Sequence, residues 1–143
     1  MAVKQISVFV ENKPGKLAEL TDLLSQHKIN LRALYLADAV DFGIARLIVD
    51  DIYNTSTVLR EANYVSSIKD VLAVRLPDEP GGLFKVLDLL GKNGINVEYM
   101  YAFTTRIQGT ANMIFRVEDN KRAVELLSTN GISQIGQEEL EKL

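Results

Sequence analysis

Asn12, Pro14 and Gly15 open a segment whose leucines fall at helical spacing. Sixty-six positions on, Asp78, Pro80, Gly81 and Gly82 open another. One kind of chemistry suits such a corner. The first N–H groups of a helix have no partner within it and carry a partial positive charge, so they attract a carboxylate or a phosphate. Glycine puts no side chain between a small molecule and those amides. Asn12 is neutral and can donate or accept, whereas Asp78 is anionic and only accepts, which suits an ammonium group. A plainer account uses the same residues. Asn and Asp cap helices, proline is at home in the first turn, and glycine eases a tight bend, with no ligand involved. Spacing alone leaves both accounts open.

The elements behind these corners belong to a chain of 143 residues, 47% hydrophobic and 24% charged. That length suits one compact domain or two very small ones, and the apolar content is enough for a core. The absence of cysteine excludes a disulfide framework, a thiolate metal site and a cysteine nucleophile, and it fits a reducing compartment. A net charge of −3 disfavours a nucleic-acid partner, which calls for a basic face. The N-terminal Met-Ala-Val-Lys-Gln-Ile alternates polar and apolar residues, unlike a signal peptide, and no stretch has the length of a membrane span. A cytoplasmic protein is expected.

The chain reads as a duplication. Pro14 and Gly15 match Pro80 and Gly81, and Leu17, Leu20 and Leu24 fall on Leu83, Val86 and Leu90 at the same interval of 66. Ile29-Asn30 falls on Ile95-Asn96, Tyr35 on Tyr101, Gly43 on Gly109 and Ile48 on Ile114. From Asp50-Asp51 against Glu118-Asp119 the interval is 68, which places a two-residue gain after the third strand. A repeat of this length means two copies of one supersecondary unit. Residues 1–70 and 71–143 are the expected units, joined without a Pro/Gly/Ser linker and expected to pack together, since a ~60-residue unit is marginal alone.

Within one copy, Ile6, Val8 and Val10 alternate as a strand, and residues 15–28 carry an apolar helical stripe. Residues 31–38 and 44–49 read as two further strands. A helix over 55–63, capped by Asn54 or Thr55, and a short strand over 65–69 complete the copy. The order strand–helix–strand–strand–helix–strand predicts an α+β, ferredoxin-like βαββαβ sandwich, with both helices on one face of an antiparallel sheet. Residues 136–143 add a short terminal helix.

Glu-Asn-Lys-Pro-Gly-Lys-Leu with His-Lys-Ile-Asn-Leu-Arg-Ala-Leu-Tyr, and Pro-Asp-Glu-Pro-Gly-Gly-Leu with Asn-Gly-Ile-Asn-Val-Glu-Tyr-Met-Tyr, make a composite motif spanning nearly the whole chain. It resembles the ACT domain family of small regulatory modules that bind amino acids. The resemblance implies tandem units that associate through their sheets and hold ligand where units meet. It places first-loop contacts on Asn12 and Asp78, the essential glycine on Gly15 and Gly81 with Gly82 beside it, and a contact from a neighbouring unit on Asn30 and Asn96. Such modules usually accompany a catalytic domain. Two units consume this chain, so its output is expected to go to a separate enzyme or regulator.

Other signals carry less. His27 sits in the last turn of the first helix, where a cation suits the dipole, and without a second His or any Cys a zinc site is a poor match. Asn93 stands at its position in the second copy, which argues against a catalytic triad. Asp50/Asp51 and Glu118/Asp119 read as helix caps and solvated turns. Tyr35, Tyr99, Met100, Tyr101 and Phe103 make an apolar sheet face that either pairs two copies, if exposed, or packs within one chain, and pairing is the expectation. The competing readings are a tandem RRM-like RNA binder and a small enzyme on this fold. Only Phe9 offers an aromatic on the first strands, and Ile44, Arg46 and Ile48 with Thr110, Asn112 and Ile114 offer none on the third. The expectation is a non-catalytic sensor of a small amino acid or related carboxylate, without cofactor or metal, a homodimer through sheet faces or edges, with no nucleic-acid or membrane partner.

Overall fold

A computed structural model describes residues 2–37, 40–103 and 107–143. Cα packing separates the chain into two compact units that meet in sequence between Lys69 and Asp70. The first contains β1 (Val3–Glu11), α1 (Lys16–Gln26), β2 (Leu31–Ala37), β3 (Phe42–Val49) and α2 (Ile52–Glu61), and it closes with the start of β4 (Ser66–Pro77). The rest of β4 opens the second unit. There follow α3 (Gly82–Lys92), β5 (Val97–Phe103), β6 (Thr110–Val117), α4 (Asn120–Thr129), β7 (Gln134–Ile135) and α5 (Gln137–Lys142). The two strands expected around Asp70 are thus one continuous strand. The expected end of the second strand at Asp38 lies outside the described residues.

Strand order is β2-β3-β1-β4 in the first unit and β7-β4-β6-β5 in the second. This is the split βαβ arrangement, twice. Alternation along each strand decides which side meets the helices. In the first unit, Ile6, Val8 and Val10 of β1 and Ala45, Leu47 and Val49 of β3 pack against Leu20 and Leu24 of α1 and Val58 and Leu59 of α2. In the second, Leu72, Val74 and Leu76 with Met113, Phe115 and Val117 meet Val86 and Leu90 of α3 and Ala123 and Leu127 of α4. A leucine removed from either cluster would leave a cavity worth about 2–5 kcal/mol.

Strand register corrects the repeat alignment. Ile6 pairs with Leu47 and Leu72 with Phe115, so β3 and β6 already stand 68 apart. The two extra residues therefore lie in the β5–β6 hairpin, before the third strand and not after it. Gly43 and Gly109, and Ile48 and Ile114, are not structural equivalents. Hairpin turns absorb an insertion without moving a strand's side chains to the other face, and a strand interior does not.

The aromatic face differs from expectation as well. Tyr101 and Phe103 are buried within the chain, Tyr35 is half-buried, and Met100 packs against the second core. Phe9 and Phe42 are exposed instead, at 49% and 51%. The pairings Phe9 with Ile44 and Glu11 with Phe42 put both on the face of the first unit opposite its helices. No helix among the described residues is long and apolar enough to cross a membrane.

Candidate functional site: the two strand-to-helix corners

At each corner the backbone follows the same path. Leaving β1, the Asn12 N–H donates to the Asp41 carbonyl at 2.9 Å and Lys13 N–H to Glu11 O at 2.9 Å. Lys16 N–H then reaches Lys13 O at 3.3 Å, and Glu19 N–H reaches Gly15 O at 2.9 Å. Leaving β4, Asp78 N–H donates to Gly109 O at 2.9 Å and Glu79 N–H to Pro77 O at 3.0 Å, then Gly82 N–H to Glu79 O at 3.1 Å and Lys85 N–H to Gly81 O at 3.2 Å. Gly15 caps α1 at φ 85°, ψ −13°, and Gly81 caps α3 at φ 86°, ψ −7°.

Asn12 and Asp78 are therefore not the helix caps that their residue types suggest. The cap position holds a left-handed glycine with no side chain to bond the next amides. The N–H groups of Leu17 and Ala18, and of Leu83 and Phe84, are left without a hydrogen-bond partner among the described residues. A Cβ built on Gly15 or Gly81 meets nothing within 4 Å. Glycine is required at these positions by its positive φ, and the space beside it is open. Gly82 has a different reason. A Cβ there would lie 2.4 Å from the Pro77 carbonyl oxygen, so this glycine lets β4 and α3 approach closely.

The two polar residues diverge. The Asn12 amide donates to the Val40 carbonyl at 3.3 Å, which ties the first corner to the β2–β3 hairpin. The Asp78 carboxylate is exposed and has no partner among the described residues. A hollow of about 110 Å³ adjoins the first corner, lined by Asn12, Lys13, Leu17, Leu36, Ala37 and Gly43.

Asn30 and Asn96 begin one residue before β2 and β5, at the far end of α1 and α3. Eleven helical residues separate each from its own corner, roughly 16 Å at 1.5 Å per residue. A single unit does not bring Asn12, Gly15 and Asn30 together, nor Asp78, Gly81, Gly82 and Asn96. Asn30 is positioned by its backbone. Its N–H donates to the Asp50 carboxylate at 3.0 Å and its carbonyl accepts from Asp50 N–H at 3.2 Å. Both asparagine side chains are exposed, without a partner among the described residues.

The remaining polar candidates have local work. Asp51 caps α2 by accepting from Asn54 N–H at 3.1 Å, and Asp119 caps α4 by accepting from Arg122 N–H at 3.0 Å. The cap is thus Asp51, ahead of the expected Asn54 or Thr55. Nδ1 of His27 donates to the Leu23 carbonyl at 3.0 Å, and the Asn93 amide makes the equivalent bond to Leu89 O at 2.8 Å. No group of acidic or histidine side chains among the described residues has a metal-binding arrangement. Sequence reasoning missed the ligation of Asn12 by the hairpin carbonyl, because that contact spans 28 residues and leaves no local pattern.

A doubled ferredoxin-like unit, whose repeated feature is an open, glycine-capped backbone corner, defines a paired α+β module. The sequence profile of the ACT domain pair matches residues 1–143, and the chain belongs to that family. No curated protein matches it. Among solved structures, protein BT0572 from Bacteroides thetaiotaomicron is 37% identical, with TM-score 0.94 over 100% of this chain and 98% of that one. The ligand-free regulatory subunit of aspartate kinase from Thermus thermophilus shares the fold at 16% identity and TM-score 0.65, over 90% of this chain and 92% of that one. Clostridium acetobutylicum aspartate kinase, an allosteric enzyme, does so at 16% and 0.51, over 90% of this chain but 33% of its own.

Proposed function

We infer that the chain is a non-catalytic regulatory protein that binds a small amino acid or a related carboxylate at its strand-to-helix corners. The observation that carries this reading is the pair of unpartnered amides at each corner, Leu17 and Ala18 or Leu83 and Phe84, beside a glycine with open space. The ligand carboxylate accepts from those amides. Its ammonium meets Asp78 in preference to Asn12, because the Asn12 amide is already held by Val40 and carries no charge. Asn30 or Asn96 completes the pocket from a facing module, since each lies a helix length from its own corner. Two modules sharing one ligand would be held in one arrangement when it binds, and that shift is the regulatory output, read by a separate enzyme or regulator. Self-association through sheet faces or edges, and a cytoplasmic setting, belong to the same reading. The net charge of −3 weighs against RNA.

A thermal-shift screen against the standard amino acids tests this. One or two of them should raise the melting temperature in a concentration-dependent way, as ligands of the folded state do. No shift with any of them, together with retention of single-stranded RNA, would overturn it.

A further inference from the structure

The two units differ on one sheet face. Phe9 N–H donates to Val65 O at 3.0 Å in the first, and Arg75 N–H donates to Ser133 O at 2.9 Å in the second. Phe9 thus corresponds to Arg75 and Val65 to Ser133. Glu11 pairs with Phe42 as Pro77 pairs with Thr110, which matches Phe42 to Thr110. Alternation settles the side. Val8, Val10 and Tyr64 pack in the core beneath the helices, so Phe9 and Val65 point to the opposite face, as Phe42 does. Where the second unit has Arg, Ser and Thr, the first has two phenylalanines and a valine.

The second unit covers this face with a helix of its own. After Ser133 the chain makes β7, turns at Gly136 and returns as α5, and the Glu139 carboxylate of that helix pairs with Arg75 at 2.6 Å. Leu140, the next residue of α5, is fully buried. After Val65 the first unit runs straight on through β4, and its helices α1 and α2 lie against the other side of the sheet. Phe9 and Phe42 stay half-exposed and Val65 is 66% exposed. Farther along the same face Ser7 and Ile48 are buried, so the opening is confined to the end where β1 leaves for α1.

We propose that the patch of Phe9, Phe42 and Val65 is a docking site for a short amphipathic helix of a separate protein, laid as α5 lies on the second unit. Size favours this occupant over a second copy of the chain. At about 200 Å² for a whole aromatic side chain, the exposed parts of the three residues offer roughly 300 Å². A stable dimer takes about 800 Å² from each partner. The patch is too small to hold two copies together and matches the apolar ridge of a short helix. α5 of another copy does not suit it, because Glu139 would meet Phe9 in place of Arg75 and be desolvated without its charge partner. The incoming helix carries an apolar residue at that point, with apolar neighbours a turn away that reach Phe42 and Val65. The site gives the separate protein of the functional reading a place to dock, and it stands without any ligand at the corners.

The test is an amide NMR titration of the full chain with a peptide of residues 136–143 carrying Glu139→Leu. A lactam between Glu138 and Lys142 holds the peptide helical, and Leu140 and Leu143 extend its apolar ridge. It should move the amides of Phe9, Phe42 and Val65 saturably. Phe9→Arg, a change at an exposed position, should weaken it about tenfold, the loss of one central apolar anchor. The same peptide with Glu139 intact should reverse the order and bind Phe9→Arg better than the parent, through the ion pair that the second unit makes. No saturable shift at those amides, unchanged affinity in Phe9→Arg, or the same order with both peptides would overturn the proposal. So would a dimer in sedimentation that Phe9→Arg dissociates, since a second copy would then cover the patch. These amides are not those of the corners, so failure here leaves the corner reading standing, and the converse holds.

Discussion

Gly15 and Gly81 hold the same left-handed backbone, φ 85° and 86°, each one residue ahead of a helix. Nothing crowds either α-carbon, so only conformation penalises a side chain there. Gly15→Ala and Gly81→Ala should each destabilise the fold by about 1–2 kcal/mol. Asparagine at either position should be milder, because it visits this region more readily. Urea denaturation measures this, and an alanine variant as stable as the parent would contradict the assignment.

Gly82 and Lys16 occupy the same position in the two units and should respond to alanine very unequally. A Cβ on Gly82 meets the Pro77 carbonyl oxygen at 2.4 Å, so β4 or α3 must move, at roughly 1–3 kcal/mol. Lys16 is half-exposed, and its ion pair with Glu19 at 3.5 Å is of the surface kind, so its loss should stay within about 0.5 kcal/mol. Equal effects in the two variants would show that the close approach is not real.

Tyr64 should make stability fall in alkali. Burial first, and then the negative charge of Glu19, raise its phenol above the ordinary 10.0, with Lys16 opposing. The folded chain then keeps a proton that the unfolded chain releases. Its contribution is fully present below the unfolded value and is lost as pH rises through the folded one. Denaturation from about pH 9 to pH 11 should show a shallower decline in Tyr64→Phe than in the parent. Identical slopes would exclude the effect.

Much of this fold is written locally. Alternation at Ile6, Val8 and Val10 gives a strand, the spacing of Leu20 and Leu24 gives a helix, and both reappear one repeat later. The Pro-Gly corner is equally visible, because a left-handed backbone needs glycine. What sequence could not place depends on contacts between distant segments. The interval change between repeats belongs to the β5–β6 hairpin, and only strand register reveals it. The caps fell on Asp51 and Asp119, one carboxylate of each acidic pair, while Asp50 was taken up by Asn30, 20 residues away. Burial of Tyr101 and Phe103 likewise arises from packing that no periodicity records.

The most direct measurement is an amide-resolved NMR titration with whichever amino acid stabilises the chain, followed residue by residue. Saturable shifts at Leu83 and Phe84 together with Asn96, and their loss in Asp78→Asn, are the result expected if exposed corner amides hold the ligand's carboxylate. A ligand that binds while leaving Leu17, Ala18, Leu83 and Phe84 unmoved would contradict it.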